Sequence, residues 1–176
     1  MNVLYLANHL NIGGISSYVF SLAKGMKARG HGVYLASGGG ELADAFSAEG
    51  ISCLTIPINT KSEANLPKIL GSLRRSLSYI KEKEIDIIHS NTRVTSVLGS
   101  LLERSSRRPH VYTCHGFFKQ RIIRRIFPCW GRKVIAISGQ VKEHLVNDFG
   151  VSPNDIAVVH NGIELARFGG YDQHFK

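Results

Sequence analysis

The 176 residues fit one ordinary domain able to bury a core unaided: 43% are hydrophobic and 20% charged, with no low-complexity tract and no solenoid repeat. No run approaches the ~18 to 20 apolar residues of a membrane span, and the start "MNVLYLANH" lacks the basic region and long apolar stretch of a secretory leader. The net charge of +9 comes entirely from residues 104–133, which hold nine Lys and Arg and no Asp or Glu, against thirteen charges of each sign elsewhere; such a local field attracts phosphates.

Val3–Asn8 is a short apolar run that predicts a strand. Ile15, Val19, Leu22 and Met26 then recur at helical spacing, after two adjacent glycines, Gly13 and Gly14. Gly32–Ser37 and Ile51–Ile58 read as the next strands, followed by a helix with Ile69, Leu73, Leu77 and Ile80 on one face. Asp86–Asn91 predicts a strand and Arg93–Glu103 a helix. His110–His115 and Lys133–Ser138 are further strands, and Gly139–Phe149 is a helix with Ser138 as its N-cap and Gly150 as its stop. Ile156–His160 closes the series. Several strands are continuously apolar, which suits burial on both faces. Strand-helix alternation with short connections predicts an α/β fold, a doubly wound, mostly parallel, Rossmann-like sheet.

In such sheets ligands bind beyond the carboxyl ends of the strands. That rim collects Asn8–Gly14, Gly38–Gly40, Asn91–Arg93, His115–Phe118, Ser138 and Asn161–Gly162. The pair Gly13-Gly14 at a strand-to-helix turn is read as room for a ligand's close approach, a diphosphate above all, with a plain tight turn as the alternative. "NIGGISS" lacks the third glycine of the dinucleotide fingerprint, and the second strand, "GVYLASGGG", ends without an acidic residue. His115, followed by Gly116, falls at the rim, whereas His89 sits inside its strand as a core histidine. Asn91, at that strand's end, is the better site candidate. The three cysteines, Cys53, Cys114 and Cys129, have no metal-ligand spacing and read as reduced thiols of the cytosol. No metal site is expected.

The segments "GGISSYVFSLAKGMKARGHGVYLAS", "IDIIHSN", "YTCHG" and "VIAISGQVKEHLVNDFGVSPNDIAVVHNGIE" occur in that order, each tied to a strand end. Together they resemble the N-terminal half of the retaining, nucleotide-sugar-dependent glycosyltransferases of family 4, over residues 1 to about 168. The resemblance implies one half of a GT-B fold, in which two Rossmann-like domains face each other across a cleft. Residues 1–168 would be the acceptor-side domain, and 169–176 the start of a linker or tail. The C-terminal domain, which holds most of the nucleotide-sugar, is absent from this chain by the same reading, so the chain alone is expected to be inactive.

The same resemblance assigns roles. Gly13 and Gly14 would face the donor diphosphate, and Ser16 the acceptor. His115 matches the family histidine near the transferred sugar and is the catalytic candidate. Asn91 stands where a histidine is common. Gly116, Ser138, Asn161 and Gly162 complete the expected donor and acceptor contacts. Neither a cofactor nor a metal is implied. A bacterial-type enzyme of cell-surface glycan, lipopolysaccharide or glycolipid synthesis is expected, placed in the cytoplasm.

"KQRIIRRIFPCW" spaces Ile122, Ile126 and Trp130 by four, with Ile123 and Phe127 beside them and Arg121, Arg124 and Arg125 on the flank. This interfacial pattern suits an anionic membrane surface on the inner face of the cell membrane, with a core-packed helix and solvated basic side as the alternative. Two other functions stay open: an NAD-binding oxidoreductase domain, and a non-catalytic basic module for nucleic acid or anionic lipid. Nucleic acid is disfavoured, because Phe117, Phe118 and Trp130 are too few and too sheet-adjacent to form an aromatic platform among the charges.

Overall fold

A computed structural model describes residues 1–60, 62–63, 65–120, 124 and 126–162. The elements in chain order are β1 (Asn2–Ala7), α1 (Gly14–Ala28), β2 (Gly32–Ser37), α2 (Ala43–Ala48), β3 (Ser52–Thr55), α3 (Leu66–Glu82) and β4 (Ile87–Ser90). They continue with α4 (Arg93–Ser106), β5 (His110–Cys114), β6 (Lys133–Ala136), α5 (Gly139–Phe149), a 3-10 turn at Pro153–Asp155 and β7 (Ile156–Val158). The strands form one parallel sheet in the order β3-β2-β1-β4-β5-β6-β7. The predicted Rossmann-like, doubly wound sheet is therefore present, with its switch point between β1 and β4.

The continuous apolar pattern of β1 follows from cover on both faces. Leu4 and Leu6 join Ile69, Ile80 and Leu98 of α3 and α4, while Val3, Tyr5 and Ala7 join Val19, Ala23 and Phe46 of α1 and α2. A third cluster packs β5 and β6 against α5 and includes Trp130. Each predicted strand is found, although the expected Ile51–Ile58 ends as a ladder at Thr55. Ile56 and Ile58 remain buried beyond it, separated by Pro57, which has no N–H to donate.

Three long helices begin with a side-chain cap. Asn65 accepts from Lys68 N–H, Thr92 forms a capping box with Thr95, and Ser138 accepts from Val141 N–H. Helix α1 has none: it starts after Gly13 with no side-chain cap bond. At its far end α5 stops on Gly150 at φ 68°, as expected for a left-handed glycine.

Candidate functional site

The loop from β1 to α1 is braced by the loop after β2. Leu10 N–H donates to the Gly39 carbonyl at 2.8 Å, and Gly38 N–H to the Asn8 carbonyl at 3.2 Å. Here the glycines are demanded by the chain. Gly40 sits at φ +143°, and a Cβ on it would lie 2.6 Å from the carbonyl carbon of Leu10. The pair at the start of α1 behaves differently. Gly13 has φ 168°, ordinary extended backbone. A Cβ on Gly13 would meet only the Asn11 carbonyl at 4.0 Å, and one on Gly14 would meet nothing within 4 Å. The tight-turn reading thus lacks a physical cause, since neither glycine has a left-handed φ. Both glycines are exposed, beside a helix start whose first N–H groups lack a side-chain acceptor.

Next to this start lies a cavity of about 250 Å³, lined by Ile15, Asn91–Arg93, Tyr112 and His115–Phe118. It lies beyond the carboxyl ends of β4 and β5, beside Ile15 of α1. His115 is half-buried and packs edge-on against Tyr18, with ring centroids 4.7 Å apart. Burial pushes its pKa down to about 4, so the ring is neutral at pH 7. Asn91 is 1% exposed, and its Nδ2 donates to the His89 carbonyl at 3.4 Å. His115 Nε2 and Asn91 Oδ1 are both buried without a hydrogen-bond partner among the described residues. Two such atoms at one cavity leave hydrogen-bonding capacity for a polar ligand.

Other expected residues are placed differently. Ser16 is 3% exposed and donates to the His9 carbonyl at 3.4 Å, so its hydroxyl holds the loop from beneath. Ser138 and the exposed pair Asn161-Gly162 sit further along the rim and do not line this cavity. Gly116 does line it. His89 is a core histidine, as expected: its Nε2 meets Thr113 Oγ1 at 2.7 Å. Among the described residues no group of three or more His, Cys, Asp or Glu could hold a metal ion.

The basic flank is only partly visible. Arg121, Arg125, Ile122 and Ile123 lie outside the described residues, as do Glu164 and the expected domain end at 168. Arg124 does not sit on a solvated flank. Its side chain is 12% exposed and its Nε donates to Glu63 at 2.9 Å, while Glu63 also accepts from Arg93 Nε at 3.0 Å. Trp130 likewise belongs to the core at 6% exposure, stacked beneath the Arg93 guanidinium at 4.4 Å. The requirement to pair a buried charge and bury the indole outweighs the four-residue surface pattern.

Sequence reasoning missed two positioning devices. Arg93 fixes the segment 127–129 by donating to the carbonyls of Phe127 at 3.1 Å and Pro128 at 2.6 Å. His144 holds the loop after His115: its Nε2 accepts from Phe118 N–H at 2.9 Å, and its Nδ1 bonds Asp148. The spacing of His144 and Asp148, four apart on a helix, was the available signal for the second. A buried arginine at a helix start leaves no trace in hydrophobic periodicity.

A family model described as Glycosyltransferase Family 4 matches residues 12–167. Among curated relatives, an Escherichia coli UDP-Gal:alpha-D-GlcNAc-diphosphoundecaprenol alpha-1,3-galactosyltransferase is 27% identical over 117 residues, covering 59% of this chain and 30% of the relative. A glycosyltransferase structure from Rickettsia africae superposes with a TM-score of 0.82 at 21% identity, covering 98% of this chain and 46% of that one. The Anabaena protein HepE, crystallised with UDP-glucose, gives a TM-score of 0.75 at 19% identity, covering 94% and 45%. These structural likenesses establish the fold, one Rossmann-like half of a GT-B arrangement. The chain spans less than half the length of each of these proteins.

Proposed function

The chain belongs to glycosyltransferase family 4, and from that membership we propose that it is the acceptor-side half of an enzyme moving a sugar from a nucleotide-sugar to a glycan or lipid-linked acceptor with retention. The observation that carries this reading is the start of α1. Gly13 and Gly14 are bare, exposed and unconstrained by their own chain, and the helix above them is uncapped. A donor diphosphate held by a facing domain accounts for both features, because helix N–H groups and the dipole favour an anion there.

The chemistry follows from that placement. The bond between the anomeric carbon and the diphosphate oxygen breaks, and a new bond forms to the acceptor hydroxyl, whose proton leaves with the departing diphosphate. Charge grows on the diphosphate as this happens, and the amides of α1 stabilise it there. His115, neutral at pH 7, positions the transferred sugar by hydrogen bonding from Nε2. Asn91 Oδ1 accepts from a sugar hydroxyl in the same cavity. No resident metal or cofactor is required.

The curated relative's named acceptor is a diphosphoundecaprenol-linked sugar and HepE was crystallised with UDP-glucose. A UDP-sugar donor and a lipid-linked acceptor of cell-surface glycan synthesis are therefore the first to test. With such an acceptor the proposal extends to a cytoplasmic enzyme, peripheral on the inner face of the membrane. The reading is tested in the protein that carries both halves, by transfer from radiolabelled nucleotide-sugars to lipid extracts. His115→Ala should lower the rate at least ~100-fold, the lower end for a positioned catalytic group. Equal rates for variant and wild type would remove His115 from the site.

A further inference from the structure

The rim cavity is selective in charge as well as in shape. Of the residues that line it, only Arg93 carries a full charge, and that charge is already matched. Arg93 Nε donates to Glu63 at 3.0 Å. Its other guanidinium nitrogens donate to the Phe127 carbonyl at 3.1 Å, the Pro128 carbonyl at 2.6 Å and Ser96 Oγ at 3.1 Å. Thr92 is occupied too, its Oγ1 meeting Thr95 Oγ1 at 2.9 Å. The remaining walls include Ile15 and the rings of Tyr112, Phe117 and Phe118. The basic stretch 104–133 does not change this, because none of its Lys or Arg lines the cavity among the described residues.

The polar groups left over have a definite sense. A carbonyl only accepts, so the bond to His89 fixes the Asn91 amide with Nδ2 turned towards that carbonyl. Oδ1 is then the buried atom without a partner, and it calls for a donor. A hydroxyl supplies one, and its own oxygen accepts from Nε2 of the neutral His115 ring. A carboxylate has no proton to give. It would set lone pair against lone pair at Oδ1, among aromatic walls and beside a cation already paired. A bare C–H in place of the hydroxyl would leave Oδ1 unpaired in the complex.

We infer that the cavity reads one uncharged hydroxyl of the transferred sugar through Asn91, so that the donor is a nucleotide-activated neutral sugar and uronic acids are excluded. The donor's diphosphate is met at the start of α1, and the selection here concerns the sugar alone. The inference rests on the sugar-transfer reading above and adds to it the residue that selects the sugar.

The test uses the protein that carries both halves. Donors are compared in pairs: UDP-glucose with UDP-glucuronic acid, UDP-galactose with UDP-galacturonic acid, and GDP-mannose with GDP-mannuronic acid. Each pair differs only by oxidation of a hydroxymethyl group to a carboxylate. The neutral donor that is used is then replaced by its monodeoxy analogues. In the wild type, kcat/KM should favour the neutral member by ~100-fold or more, and deoxygenation at one position should cost as much. Asn91→Leu, close in size but without the acceptor, should be slower with the parent sugar and should use that deoxy analogue equally well. A structural role for Asn91 would slow all donors alike and leave the ratios unchanged, which would overturn the inference. So would comparable use of a uronate by the wild type, or tolerance of deoxygenation at every position. Circular dichroism checks the fold of the variant, and the wild-type ratios decide without it. Transfer from no donor would overturn the sugar-transfer reading itself, whereas transfer from both members of a pair overturns only this inference.

Discussion

The backbone N–H of Phe118 donates to Nε2 of His144 at 2.9 Å, tying the loop after His115 to α5 through one side chain. Asp148 sets the tautomer by bonding Nδ1, and also accepts from Gln120 Nε2 at 2.6 Å. Phe117 lies edge-on to the same imidazole at 5.1 Å. One helix face thereby holds Phe117, Phe118 and Gln120, part of the cavity wall and its approach.

His144→Ala should therefore destabilise the chain by ~1–3 kcal/mol, the usual cost of leaving a partly buried donor without its partner. Urea unfolding measures this. Amide exchange at Phe118 should accelerate in the same variant. Unchanged exchange there would mean that the bond does not hold the loop.

The glycines give a paired prediction. Gly40→Ala should cost ~2 kcal/mol or more, because its φ is left-handed and its Cβ meets the Leu10 backbone. Gly14→Val should leave the urea midpoint nearly unchanged, since no atom of the chain stands in its way. In the two-half enzyme the same valine should abolish transfer. A folded Gly14→Val enzyme with normal turnover would show that nothing approaches this loop.

Glu63 joins two arginines, so Glu63→Gln should cost ~1–3 kcal/mol by leaving both guanidiniums poorly compensated in a half-buried site. A double-mutant cycle with Arg124→Gln should show coupling of ~0.5–3 kcal/mol. Strict additivity would mean that the two side chains do not interact in solution.

Three histidines are held neutral by burial: His89 is pushed down to about 3, and His110 and His115 to about 4. An unfolded histidine titrates near ~6.5, so below that pH the unfolded chain binds protons that the fold refuses. Stability should thus be fully present above pH ~6.5 and fall as the pH drops toward about 4, each group contributing up to ~1.4 kcal/mol per pH unit. Urea midpoints at pH 7.5, 6.5, 5.5 and 4.5 measure the slope. His89→Gln should flatten it, and a midpoint independent of pH would contradict the burial of these rings.

The parallel sheet was legible because β1, β2, β4, β5 and β6 carry apolar runs separated by helical spacing and punctuated by Ser138 and Gly150. Helix α2 was not, since six residues around one buried Phe46 make less than two turns of pattern. The rim residues His115, Gly116 and Asn91 were found from strand ends, and the fold brings them to one cavity. Ser16 and Arg124 are bonded to their own chain more closely than the sequence showed, for one reason. Their partners, the His9 carbonyl and Glu63, are set by loops that no periodicity describes.

Sugar transfer itself is the most direct measurement. The protein carrying both halves is incubated with radiolabelled UDP-sugars and lipid extract, and the anomeric configuration of the product is read by NMR. The expected result is a glycosylated acceptor with the donor's configuration retained, and no transfer at ~1 s⁻¹ or faster by the 176-residue chain alone. Transfer at such a rate by this chain by itself, or none by the two halves with any nucleotide-sugar, would contradict the proposal that it is the acceptor-side half of such an enzyme.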